Sequence, residues 1–285
     1  MFVIIGYVIA VAGIIGGYIL AGGHMGVLWQ PNEMIIILGG AIGAFVVSNN
    51  PTVFAAVGGT IGGALAGSKY NKAFYLETLT LLYKIFTKIR QGGLLSIEGD
   101  IENPSNSELF KGAPGVLADH HALEFITDYL RLMANGGLEP HQVENLMDIE
   151  LETHHHEGHI PIEALAKLAD GLPAFGIVAA VMGVVHVMGL VGNASTQELG
   201  AAIGGALVGT FLGILFAYGI VGPLTGACTH NLEASAKYFV AVKAALLATM
   251  NGYAPPIAVE FARKTMLSYD RPGFSELEEH IKANK

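Results

Sequence analysis

Between Asp170 and Glu233 the chain carries one acidic residue, Glu198, and neither Lys nor Arg. Three residues in that stretch have a chemistry of their own. Thr210 lies in GALVGTFLG, inside the series Gly205, Gly209, Gly213, whose four-residue spacing marks a close approach between membrane helices. Its hydroxyl can line the path of a cation, or bond back to its own helix. Pro173 and Pro223 stand at the two ends of the stretch, and each lacks a backbone N–H. They either punctuate helix termini, where proline is ordinary, or form a hinge at a shared membrane depth. Beyond these, the apolar segments offer tyrosines and His186. Ions crossing a bilayer need an ionisable or coordinating group at depth, so a carboxylate for ion passage is expected from a second chain. A passive membrane scaffold would share this composition.

Two polar clusters lie outside the apolar stretches. Lys84, Lys88 and Arg90 close a helical segment, and Glu98, Asp100 and Glu102 follow it. Separated patches of opposite sign can dock and orient a charged partner, or they are a dipole-matched helix end and a solvated loop. His154, His155, His156 and His159 look like metal ligands, but adjacent histidines on a helix point apart and HExxH spacing is absent. A polar face without metal is the expectation. No phosphate loop and no nucleophile elbow occurs, so neither an enzyme nor a cofactor is expected. A net charge of −9 argues against nucleic acid, and the single Cys228 excludes an intrachain disulfide.

The elements that must position these residues follow from hydropathy and charge. A mean hydropathy of +0.51 with 14% charged residues indicates an all-α integral membrane protein. The 15 Lys and Arg avoid residues 1–68 and 168–236 entirely. By the positive-inside rule each basic-free block leaves the cytoplasm and returns, which predicts four transmembrane helices in two hairpins, both termini inside. The expected organisation is a first hairpin with an interfacial segment over 1–68, a cytoplasmic helical domain over 69–170, a second hairpin over 171–227, and cytoplasmic helices with a tail over 228–285. The first span is placed at 2–20, with a small face made by Gly13, Gly16 and Gly17 that suggests packing against another helix. The second is placed at 33–47, with the apolar run 52–67 completing it or lying in the inner interface. Helices are expected over 71–91, 118–134, 140–155, 234–250 and 257–266. The acidic stretch after Gly93 reads as a loop, and the segment FSELEEHIKANK as a charged, partly mobile tail.

Several runs carry a resemblance that composition alone could not supply. LPAFGIVAAVMGVVHVMG, VGTFLGILFAYG, NGYAPPIAVEFARKT, RPGFSELEEH, GGYILAGG, DIENPSNSELF and DYLRLMANG together span nearly the whole chain. They closely resemble the MotA family of flagellar motor stator subunits, within the wider MotA/TolQ/ExbB group. The resemblance implies a bacterial inner-membrane subunit that, with MotB, couples inward proton flow to rotor torque and swimming. It implies a ring of five copies around two copies of MotB, whose transmembrane aspartate binds the passing ion. It carries the family's functional prolines onto Pro173 and Pro223, its rotor-contacting charges onto Arg90 and Glu98, and its path-lining threonine onto Thr210. The rotor protein FliG is the implied partner of those charges. Sodium-type relatives have a threonine where this chain has Ala180, so the implied ion is H⁺. An ExbB/TolQ-like energising subunit is the nearest alternative, although such relatives have three spans. The run 52–67 is less basic and more apolar than the family pattern.

Overall fold

A computed structural model describes residues 2–284, and every regular element among them is helical. In chain order the longer helices are α1 (Phe2–Leu20), α2 (Pro31–Ser48), α3 (Pro51–Ala66), α4 (Lys72–Gly92) and α5 (His120–Asn135). They continue as α6 (Pro140–Leu190), α7 (Thr196–Ile214), α8 (Gly222–Met250), α9 (Pro255–Thr265) and α10 (Phe274–Ala283). A π-helical segment, Leu215–Val221, joins α7 to α8. Four helical stretches are long and apolar enough to cross a membrane: 3–20, 25–48, and parts of 140–190 and 196–250.

The chain divides into two compact units. One comprises Met1–Gly67 and Glu157–Asn231, the other Ser68–His156 and Leu232–Lys285.

In the first unit, α2, α6 and α7 share an apolar cluster built from Ile37, Ala41, Leu172, Ala179, Val208 and Leu212, joined by Ala217 of the π segment. The packing between α6 and α7 is close because glycines meet. A Cβ added to Gly213 would stand 2.8 Å from Gly176 Cα and 2.8 Å from the Leu172 carbonyl oxygen. Gly209 and Gly213 of the four-residue series therefore mark a crossing with α6, while Gly205 faces the Gln30 side chain. Helix α7 begins in a capping box: Ser195 Oγ accepts from Glu198 N, and Glu198 Oε2 accepts from Ser195 N. That role gives the lone acidic residue of the hairpin a structural reason. Helix α3 runs beside the start of α8, where Asn231 Nδ2 donates to the Gly63 carbonyl at 2.8 Å.

In the second unit, α4 is central. Asn71 caps it by accepting from Ala73 N and Phe74 N, and Gly93 at φ +77° ends it. Of the apolar series Leu79, Leu82, Tyr83, Phe86 and Ile89 that the periodicity predicts, Leu79, Leu82 and Phe86 are buried and Tyr83 and Ile89 half-buried, while Phe74, Tyr75, Leu81 and Ile85 are buried as well. The helix is covered on more than one face, by Phe125, Ile126 and Leu130 of α5 and by Tyr238, Val242 and Leu246 of α8. Tyr70 stacks on Tyr238 with ring centroids 4.7 Å apart. Asp119 caps α5, accepts from the Tyr70 hydroxyl at 3.0 Å and pairs with Lys69 at 2.6 Å.

Several expectations are corrected. Neither proline ends a helix: Pro161 and Pro173 lie inside the unbroken α6, and Pro223 is the second residue of α8 after a continuous π segment. Each proline removes one backbone bond, and the neighbouring turns keep their own, so the helix passes through. The run 52–67 does not complete α2: Pro51 starts a separate helix capped by Asn50, which accepts from Val53 N. The acidic stretch after Gly93 folds into short turns, Leu94–Ile97 and Glu98–Glu102, pinned by buried Ile97 and Ile101. The charged tail is α10, held by buried Leu277 and Ile281. The small face of α1 has no neighbour here: a Cβ on Gly13, Gly16 or Gly17 meets nothing within 4 Å.

Candidate functional site

Three of the candidate residues gather along the contact between α6 and α7. Pro173 follows Leu172, whose carbonyl lies over Gly213. Seven residues further along α6, the backbone N of Ala180 stands 3.1 Å from the position a Cβ would take on Gly209. Thr210 follows Gly209 on α7 and is half-buried. Its hydroxyl makes no hydrogen bond among the described residues, whereas Thr225 and Thr229 bond back to the carbonyl four residues earlier. The back-bonded alternative for Thr210 is thus absent, and the hydroxyl remains available. Pro223 is exposed on α8, two residues past Val221, which packs on the cluster that contains Leu172. Tyr7 of α1 donates to the Ile220 carbonyl at 2.8 Å and so ties α1 to the π segment before Pro223.

Sequence reasoning missed one member of this region. Glu33, in the first turn of α2, is only 8% exposed. Its carboxyl reaches into the α6/α7 contact: a Cβ on Gly209 would fall 2.8 Å from Oε2, and one on Gly183 3.3 Å from Oε1. The expectation that these spans hold no carboxylate is therefore corrected. An acidic residue two positions after Pro31 reads as an ordinary helix-start residue. Only the packing shows it turned inward.

Arg90 and Glu98 belong to the other unit, Arg90 in the last turn of α4 and Glu98 at the start of Glu98–Glu102, with the turn Leu94–Ile97 between them. Both are exposed. The turn between them is braced: Ser96 Oγ donates to the Lys88 carbonyl at 3.2 Å and to the Gly93 carbonyl at 2.6 Å. The six charges of this region then sort themselves. Lys88 pairs with Asp100 at 2.7 Å and Glu102 with Arg131 at 3.2 Å, while Lys84, Arg90 and Glu98 form no ion pair among the described residues, and of these three Arg90 and Glu98 are exposed. A charge without an internal partner can be given to an external one at little desolvation cost.

The histidines take a packing role in part. The His154 ring lies edge-on to His121, centroids 5.6 Å apart, and to Phe239 at 5.2 Å. Among the described residues no group of three or more His, Cys, Asp or Glu is gathered as a metal site.

Comparison with known proteins agrees with this architecture. Residues 4–93 match the family described as Motility protein A N-terminal, and residues 118–241 match the MotA/TolQ/ExbB proton channel family. Motility protein A of Escherichia coli is 49% identical over 288 aligned positions, covering 100% of this chain and 96% of that protein. Among solved structures, Campylobacter jejuni MotAB superposes with a TM-score of 0.78 at 22% identity, over 94% of this chain and 96% of that one. The flagellar MotAB stator complex of Bacillus subtilis gives 0.74 at 21% identity, over 93% and 94%. At that identity these two similarities speak for the fold.

Proposed function

We propose, from the premise that this chain belongs to the MotA/TolQ/ExbB proton channel family, that it is the A subunit of a flagellar motor stator. The observation that carries this reading is the 49% identity to a motility protein A along the entire chain. Its partner is MotB, the second component named in the MotAB structures of the same fold. The subunits form a ring, of five copies around two of MotB, in the bacterial inner membrane with both chain termini in the cytoplasm. The distribution of Lys and Arg supports that orientation.

In the mechanism, protons pass between this ring and the MotB helix. Protonation of the MotB aspartate changes its fit against the surface formed by Pro173, Ala180, Thr210 and Pro223. The free Thr210 hydroxyl supports a role in the path, and alanine at 180 supports H⁺ over Na⁺, since it offers no side-chain oxygen. The ring steps, and Arg90 and Glu98 engage FliG through complementary charge. One charge falling through 100 mV releases roughly 2.3 kcal/mol, enough to bias a shallow, glycine-rich contact but not to break a locked one.

The test is deletion of the gene with flagella and swimming scored together. Intact but paralysed filaments, rescued by the wild-type gene and not by an Arg90→Glu/Glu98→Lys copy, are the expected result. Normal swimming in the deletion strain would overturn the stator role and favour an ExbB-like energising subunit.

A further inference from the structure

We propose that Glu33 is a cation-binding carboxyl of this chain, a station for the transported proton beside Ala180 and Thr210 and on the side of the α6–α7 turn; this rests on the proton-conducting reading above.

Four observations carry it. First, Glu33 is 8% exposed, and its Oε2 is buried with no hydrogen-bond donor among the described residues. A buried carboxyl oxygen without a donor is costly, and a bound proton or small cation is what relieves it. Second, the niche is shaped for the group. Gly183 of α6 and Gly209 of α7 face it from two helices, and a methyl at Gly209 would come within 2.8 Å of Oε2. The same two glycines also serve the helix crossing, since a Cβ on Gly183 would come 2.6 Å from Ala206 Cβ and one on Gly209 3.1 Å from Ala179 Cβ, so the carboxyl lies directly in the α6–α7 seam. Third, nothing in the surroundings neutralises it. Residues 1–68 and 168–236 contain no Lys or Arg. Of the other titratable side chains on α6 beyond Leu172 and on α7, His186 is exposed and Glu198 is engaged with Ser195. On the segment before α2, His24 forms no side-chain bond to Glu33, and Gln30 donates to the Val27 carbonyl at 3.1 Å. Fourth, the position suits a relay. Gly183 lies seven residues before the end of α6 at Leu190, about 10 Å along the axis. A carboxyl there takes an ion after it enters and before it reaches the hydroxyl of Thr210 and the partner's aspartate. A carboxyl inside a membrane span is costly, and such groups mark ion paths.

The experiment uses the complex with MotB. Swimming speed is measured across external pH 5–8, and proton flux into membrane vesicles carrying the complex is followed in parallel. Glu33→Gln keeps the shape and removes the charge. It is expected to co-purify with MotB, to lower flux at least several-fold, and to flatten the pH profile. Glu33→Asp keeps a carboxyl on a shorter arm and is expected to conduct with a displaced pH midpoint. An infrared carboxyl band that responds to pH in the wild-type complex is expected to be missing from Glu33→Gln. Wild-type flux with an unchanged profile in Glu33→Gln would overturn the proposal. Should that variant fail to assemble, an unmoved midpoint in Glu33→Asp would overturn it equally. If the wild-type complex itself carries no flux, or neutralising the MotB aspartate leaves flux intact, the stator reading fails instead.

Discussion

Arg263 shows how a single residue can hold a segment whose sequence says little about its fold. Its side chain is 8% exposed, and it donates to both oxygens of Glu260, at 2.6 and 2.7 Å, and to the Pro272 carbonyl at 2.9 Å. That fixes the turn from α9 to α10. Hydrogen bonding from Arg263 holds the Glu260 carboxyl below the usual carboxylate range. A depressed folded value means the stabilisation is complete above the unfolded value of about 4.3 and is lost as pH falls through the folded one. Glu260→Gln is therefore expected to cost about 1–2 kcal/mol at pH 7. In denaturation series at successively lower pH, the gap to wild type should close below about pH 4. A gap that stays constant would mean the carboxylate is not what stabilises the turn. At the same scale, Arg90 and Glu98 could be singled out in sequence only together with four other charges. The ion pairs Lys88–Asp100 and Arg131–Glu102 remove two acids and one base from that set. Pairing depends on which side chains approach in space, and spacing along the chain does not reveal it.

Among the elements, α6 and α7 differ most from what the sequence announces. Their apolar length and glycine spacing are legible, and the crossing at Gly176 and Gly213 follows from them. Gly213→Ala would push a methyl to 2.8 Å from the backbone of α6. It is expected to cost about 1–3 kcal/mol as overpacking, read as a lowered thermal unfolding midpoint in detergent. Gly226→Ala meets nothing within 4 Å and should raise stability by up to about 1 kcal/mol through helix propensity alone. Pro173 lies within the helix instead of opening it, so its missing N–H leaves the Ala169 carbonyl without its usual intrahelical donor. Pro173→Ala restores that bond and is expected to raise the unfolding midpoint while reducing swimming speed and proton flux. If both functions survive, the hinge role of Pro173 must be abandoned. The long helices were hidden because proline reads as a stop in sequence, whereas packing on both sides keeps α6 continuous past Pro161 and Pro173.

For the molecule as a whole, what is left uncovered matters as much as what is packed. Along α1, the glycine face at Gly13, Gly16 and Gly17 is open, and Ile4, Val8, Ile9 and Val11 are each more than half exposed. In a membrane ring such a face fits a neighbouring subunit closely. Gly13→Leu with Gly17→Leu is expected to leave helicity intact and to lower the subunit number seen by native mass spectrometry. An unaltered assembly would place the subunit contact elsewhere. Several features could be read without any structure: four spans in two hairpins, the helix over 71–91, and the family. All of these depend on local composition, on charge asymmetry or on contiguous motifs, which survive in one dimension. The inward turn of Glu33, the niche between Gly183 and Gly209, the unbonded hydroxyl of Thr210 and the lack of an ion pair at Arg90 and Glu98 among the described residues could not. Each is decided by which side chains and backbones meet across long separations in sequence, and burial and pairing exist only once the helices have packed.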